Sequence, residues 1–168
     1  MTIYSLRNHT AIDYVSGRDH ILLADSSLMS DVSVIDYSLK GAWAKRSLST
    51  HPQVVGLDED FEGACFRKRQ NLVSFDGKLF AFWEGTRYDG SLSYRVPVDY
   101  LVVANSICKD KYVDLQSVIN AYDVKMLVVD GSLPRYLAEK WMAQADELHL
   151  PCHYIGDCAL QMDFAIGR

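Results

Sequence analysis

Two short apolar runs in the second half of the chain constrain the fold more than anything else in the sequence. Residues 98–104, Val-Asp-Tyr-Leu-Val-Val-Ala, and residues 126–129, Met-Leu-Val-Val, read as buried strands. Each is followed by a turn and then by apolar residues at helical spacing. Leu115, Val118, Ile119 and Tyr122 lie along one face of a helix expected over residues 114–122. Tyr136, Leu137, Lys140, Trp141, Ala145 and Leu148 do the same over 134–148, with Pro134 suited to the first turn. Short strands near 152–155 and 159–164, joined through Gly156-Asp157, complete a βαβαβ grammar. Apolar strands alternating with helices imply a sheet covered by helices.

The first half follows a different period. Residues 3–6, 11–15 and 20–24 are separated by Asn8-His9 and by Ser16-Gly17-Arg18-Asp19, which is turn chemistry, so the opening reads as an antiparallel meander. A helix is expected next, with Ser30 as N-cap, Asp31 at its positive end and Val32, Ile35, Leu39, Ala42 and Trp43 on the buried face. Strands are expected at 53–57, 63–67, 71–75 and 78–83. The last two form a hairpin across Asp76-Gly77, since both turn positions favour positive φ. Residues 84–97, rich in Gly, Tyr and Arg, read as a loop. The fold class is therefore α/β with a mixed sheet, hairpins first and crossovers last.

At 168 residues and 19.0 kDa the chain is long enough for one domain with a real core, and its 49% hydrophobic and 23% charged content is that of a globular protein. With 17 basic and 22 acidic side chains the net charge is -5, a balance that argues against extended nucleic-acid backbone contact. Arg67-Lys68-Arg69 is the longest basic run and reads as a solvated edge or turn. No apolar stretch approaches the roughly 20 residues that span a bilayer. The four cysteines, 65, 108, 152 and 158, show no C-x-x-C spacing and read as free thiols. His9, His20, His51, His149 and His153 are scattered, with no short ligand pair, and read as surface or structural residues.

The order of elements, with Ile21-Leu22-Leu23-Ala24-Asp25 ending the opening hairpin, Val98-Asp99-Tyr100-Leu101-Val102-Val103, Val128-Val129-Asp130-Gly131-Ser132 and Leu150-Pro151-Cys152-His153-Tyr154, resembles a known family. It is similar to the metallo-β-lactamase-like domain at the carboxyl end of ComEC-type competence proteins, in the divergent form seen in Bacteroidetes. The resemblance implies a single degenerate and reduced metallo-hydrolase-type domain over residues 1–168, a piece of a polytopic membrane protein that takes up DNA. It implies a soluble domain tethered to the bacterial inner membrane, whose partner is the remainder of that chain. Active members of the family carry a His-x-His-x-Asp-His string and paired histidines after the strand corresponding to 99–104. The string is absent here, and Asn105 and Ser106 stand where the pair is expected. Asp25, retained at its strand end, has a structural role in the family.

The resemblance therefore implies a non-catalytic accessory domain with no metal, no cofactor and no catalytic residues. The alternative is a metal-dependent phosphodiesterase or nuclease with an atypical site, which would have to gather Asp25, Asp99, Asn105 and Asp130 around a metal. The candidate ligand-facing strand ends are Asp25, Asp99, Asn105, Ser106, Asp130 and Ser132, because the carboxyl ends of strands in α/β sheets face ligand crevices. Gly131-Ser132 before a helix offers a place for an anion. A serine hydrolase is disfavoured because neither Ser106 nor Ser132 sits in G-x-S-x-G. Weak single-stranded DNA contact would fall to Arg87, Tyr88, Tyr94 and Arg95, with Tyr100 nearby, through stacking and phosphate contacts.

Overall fold

A computed structural model describes residues 1–83, 94–105, 113–156 and 159–162. Among these residues twelve strands form two sheets, both mixed, in keeping with the mixed-sheet α/β class expected. In chain order they are β1 (Thr2–Ile3), β2 (Ala11–Ser16), β3 (Asp19–Ala24), β4 (Gln53–Gly56), β5 (Phe61–Glu62), β6 (Phe66–Arg69), β7 (Leu72–Phe75), β8 (Lys78–Phe82), β9 (Val96–Val103), β10 (Tyr122–Val129), β11 (Cys152–Tyr154) and β12 (Leu160–Gln161). The first sheet has the order β12-β1-β2-β3-β4 and the second β11-β10-β9-β8-β7-β6-β5. The opening meander is antiparallel, and β4 joins β3 in parallel after a helical crossover. In the second sheet β5 to β8 are antiparallel and β8 to β11 parallel, so hairpins do come before crossovers.

Alternation along the strands supplies both faces of each sheet. Ile12, Tyr14 and Leu23 of the first sheet meet Phe66, Val73, Phe80, Val102 and Val128 of the second in one core. The outer face of the first sheet, with Ala11, Leu22 and Ala24, packs on Leu28, Leu39 and Trp43 of the helical crossover. The outer face of the second, with Leu101, Val103, Leu127 and Val129, is covered by α4 (Leu115–Ile119) and α5 (Arg135–Glu147). The layers run helix, sheet, sheet, helix. The strands divide where β5 starts a new sheet instead of pairing with β4, and β12 returns to the edge of the first sheet beside β1, a contact between distant parts of the sequence that no local pattern encodes.

Local chemistry explains most boundaries. Asp76 (φ 50°) and Gly77 (φ 71°) make the expected tight hairpin. The first crossover starts earlier than expected: Asp25, not Ser30, caps α1 (Ser26–Ser30), its side chain accepting from the Leu28 N–H. Asp31 then interrupts that helix and caps α2 (Val32–Val34) through the Val34 N–H. A π-helical turn, Ile35–Leu39, leads into α3 (Lys40–Lys45), which ends at the Lys45-Arg46 step as expected. The basic run lies in a strand rather than a turn, with two of its three side chains solvated as expected. It lies in β6, where Arg67 and Arg69 face Glu62 and Asp60 at the surface while Lys68 is buried and donates to the Gln70 carbonyl at 2.5 Å. Among the described residues no helix is long and apolar enough to cross a membrane.

Candidate functional site

The carboxyl ends of β3, β9 and β10 converge on the turn between β1 and β2, and the residue at the centre is Thr10. Its backbone N–H donates to Asp25 Oδ2 at 2.6 Å, and its hydroxyl donates to Asp130 Oδ2 at 2.8 Å. One threonine thus ties the end of a strand in the first sheet to the end of a strand in the second. Ser132 joins the cluster, its hydroxyl donating to Asp130 Oδ2 at 2.5 Å and accepting from the Asn105 N–H at 3.0 Å. Thr10, Asp130 and Ser132 are all buried. Gly131 lets the strand ends close up: a Cβ there would meet the Ile155 carbonyl at 3.1 Å.

The two carboxylates experience opposite electrostatics. Burial alone would raise the Asp25 carboxyl, but hydrogen bonds from Ser27, the Thr10 and Leu28 N–H groups and His9 outweigh it and hold the group below its usual range. His9 Nδ1 lies 3.5 Å from Asp25 Oδ1 and 3.0 Å from the Ser27 hydroxyl. At Asp130 burial wins. Two hydroxyls oppose it at Oδ2, yet the carboxyl is pushed up to about 6. Its Oδ1 is buried with no hydrogen-bond partner among the described residues, and so is Asn105 Oδ1.

The structure therefore gathers Asp25, Asn105, Asp130 and Ser132. Asp99 is excluded, and its designation as a strand end is corrected. Because β9 begins at Val96, Asp99 sits mid-strand, where it accepts from the Leu79 N–H at 3.0 Å and from Lys125 at 2.9 Å. Ser106 lies outside the described residues, as do Arg87 and Tyr88. Gly131-Ser132, weighed as a place for an anion, is turned inward instead: the Ser132 N–H points at Asp130 Oδ2 (3.4 Å), and α5 begins only at Arg135. Of the proposed stacking residues, Tyr94 is 70% exposed, Arg95 reaches the Ile119 carbonyl at 3.4 Å, and Tyr100 is stacked on Phe80 at 4.9 Å.

Sequence reasoning missed Thr10, whose only signal was its place in a polar turn beside His9. It also missed a second buried network on the outer face of the first sheet. Asp13 Oδ1 lies 2.9 Å from His20 Nδ1, and Asp13 Oδ2 accepts from Trp43 Nε1 at 2.6 Å and from the Tyr4 hydroxyl. His20 Nε2 is 2.8 Å from the Ser49 carbonyl, so both ring nitrogens face acceptors. Burial, then the neighbouring Asp13 charge, pushes the Tyr4 hydroxyl far above its usual range. This network fastens α3 to the sheet. Cys65 and Cys152 are free thiols at the surface, and Cys108 and Cys158 fall outside the described residues.

Among the described residues no group of three or more His, Cys, Asp or Glu side chains is placed to hold a metal ion. The ComEC C-terminal domain family matches residues 1–159, nearly the whole chain, and the chain belongs to that family. No curated protein and no solved structure matches it.

Proposed function

We propose that this ComEC C-terminal domain is a non-catalytic accessory domain of a competence-type DNA-uptake membrane protein, built on a reduced metallo-β-lactamase-like frame of the Bacteroidetes form. Its partner on this reading is the remainder of a larger, membrane-embedded chain, which tethers it to the bacterial inner membrane. One observation carries the proposal. The carboxylates at the strand ends are used internally, Asp25 as helix cap and brace for the Thr10 N–H, Asp130 as acceptor for Thr10 and Ser132. Groups committed to holding two sheets together are poorly placed to gather around a metal and activate water. The helix, sheet, sheet, helix layering supports the frame, and the exposed Tyr94 beside Arg95 supports weak single-stranded DNA contact that would include Arg87 and Tyr88.

The second reading, an atypical metal-dependent phosphodiesterase, is favoured by the two buried oxygens left over at the same place, Asp130 Oδ1 and Asn105 Oδ1. The two are separated by incubating the full-length protein with manganese or zinc, washing, and measuring bound metal together with cleavage of labelled single-stranded DNA. The accessory reading expects no stoichiometric metal and no cleavage above background, and expects cross-links between this domain and the membrane part of its own chain. Stoichiometric metal with cleavage abolished by Asp130→Asn would overturn it in favour of the second.

A further inference from the structure

A cavity of about 460 Å³ opens between the two sheets at the end of the first sheet opposite Thr10 and Asp25. Ser16 and Asp19, which flank the β2–β3 turn, line its mouth, whereas Thr10 and Asp25 flank the other ends of the same two strands. The cavity is thus separate from the strand-end cluster. Its volume falls in the range of small-molecule sites.

The walls have a definite chemistry. Tyr14, Phe61, Phe66 and Phe75 form an aromatic lining, with Tyr14–Phe66 centroids at 4.8 Å, Tyr14–Phe75 at 5.1 Å and Phe61–Phe66 at 5.8 Å. The Tyr14 hydroxyl, on the inner wall's fully buried ring, has no hydrogen-bond partner among the described residues, a state that costs about 1–3 kcal/mol if nothing satisfies it. Phe61 owes its position to Gly63: a Cβ at Gly63 would approach Phe61 Cε1 to 2.9 Å. At the mouth stand Asp19, His51, Gln53 and the free thiol of Cys65, all exposed. Among the described residues no Lys or Arg lines the cavity, and Asp19 is the one carboxylate that does. An aromatic wall beneath a mouth that carries the Asp19 carboxylate and the neutral polar groups of Gln53 and Ser16, with imidazoles as the one kind of basic group among the described lining residues, favours a flat ring carrying an amine over a phosphate or a carboxylate.

We propose that this cavity is a binding site for small aromatic amines, the ring lying against the aromatic wall of Phe61, Phe66 and Tyr14 and the ammonium remaining at the mouth beside Asp19. Cys65 supplies a reporter that needs no activity. The full-length protein is alkylated with iodoacetamide in the presence of tryptamine, indole or indole-3-acetate, three probes that share a ring and differ in charge, and the rate at each cysteine is read by peptide mass spectrometry. Tryptamine is expected to protect Cys65 saturably and leave Cys152 unprotected, with indole about two- to fivefold weaker and indole-3-acetate weaker still. Asp19→Asn, at an exposed turn, is expected to remove the advantage of tryptamine over indole. Ala64→Trp, checked for folding by circular dichroism, is expected to fill the mouth and abolish tryptamine binding seen by ligand-observed NMR. The proposal fails if no probe protects Cys65 at millimolar concentration, if Cys152 is protected equally, if indole-3-acetate binds as well as tryptamine, or if folded Ala64→Trp binds unchanged.

Discussion

Replacing Asp130 by Asn should make the protein gain stability, relative to wild type, as pH rises. Asp130 is fully buried and its carboxyl is pushed from 3.8 to about 6, chiefly by desolvation. A raised folded pKa means that the native protein keeps a proton the unfolded chain releases. Stability is therefore greatest where both states are protonated, falls as pH rises from about 4 through about 6, and stays reduced above that. A shift of about two units corresponds to about 3 kcal/mol, of which about 2 kcal/mol is lost between about pH 4.5 and about pH 8. Asparagine does not titrate, and its carbonyl can take the place of Oδ2 in accepting from Thr10 and Ser132. Its NH₂ group at the Oδ1 position lacks a partner among the described residues and costs about 1–3 kcal/mol, but at every pH alike. The informative quantity is the pH dependence of the difference between the two proteins. Urea unfolding followed by tryptophan fluorescence should show the variant gaining about 2 kcal/mol on wild type between about pH 4.5 and about pH 8. A difference that stays constant across that interval would refute the assignment of a buried, proton-retaining Asp130.

Asp25→Ala should cost about 2 kcal/mol at neutral pH, since it removes the cap on the Leu28 N–H and the acceptor for the Thr10 N–H. The folded pKa of Asp25 is lowered, so this contribution is present above the unfolded value of about 3.9 and is lost as pH falls through the folded one; the wild-type advantage should shrink in acid unfolding curves. Asp13→Ala should cost about 3–5 kcal/mol, because the Tyr4 hydroxyl, Trp43 Nε1 and His20 Nδ1 all lose their buried acceptor, while Trp43→Phe should cost about 1–2 kcal/mol through its hydrogen bond. Thermal unfolding by circular dichroism checks the order, and an Asp13→Ala loss no greater than that of Trp43→Phe would contradict it.

What the sequence made legible is local or periodic. Asp76-Gly77 announces its hairpin because only certain residues tolerate two consecutive positive φ values. The apolar runs of β9 and β10 announce buried parallel strands because both faces of their sheet are covered. The missed features are those in which a side chain outweighs the pattern or a contact spans the chain. Asp31 stops a helix whose apolar spacing continues, since its carboxylate takes the Val34 N–H. Lys68 reads as surface but lies buried on the face of β6 that alternates with Arg67 and Arg69. The strand-end candidates Asp25, Asn105, Asp130 and Ser132 were identified as separate positions; their junction through Thr10 was not, because Thr10 and Asp130 are 120 residues apart.

That junction also explains why two aspartates in similar positions, each just past the end of a strand, differ in kind. Asp25 receives two backbone N–H groups in addition to its side-chain donors, and backbone donors fixed by a turn and a helix start favour the charged form without reorganising. Asp130 receives two hydroxyls and a long contact from the Ser132 N–H, all at Oδ2, with the Gly131 N–H also favouring the charged form, while Oδ1 has no hydrogen-bond partner among the described residues. Those donors also favour the carboxylate, but they do not offset the cost of burying it. Asp25 thus works as a fixed anion that orders the β1–β2 turn and starts α1. Asp130, its carboxyl pushed up to about 6, sits at a hydrogen-bonded junction between the two sheets. Any ligand, metal or partner that supplied a positive charge or a donor to Oδ1 would lower that carboxyl toward its ordinary value and relieve the cost of burying it, coupling occupancy at the strand ends to the stability of the whole sandwich.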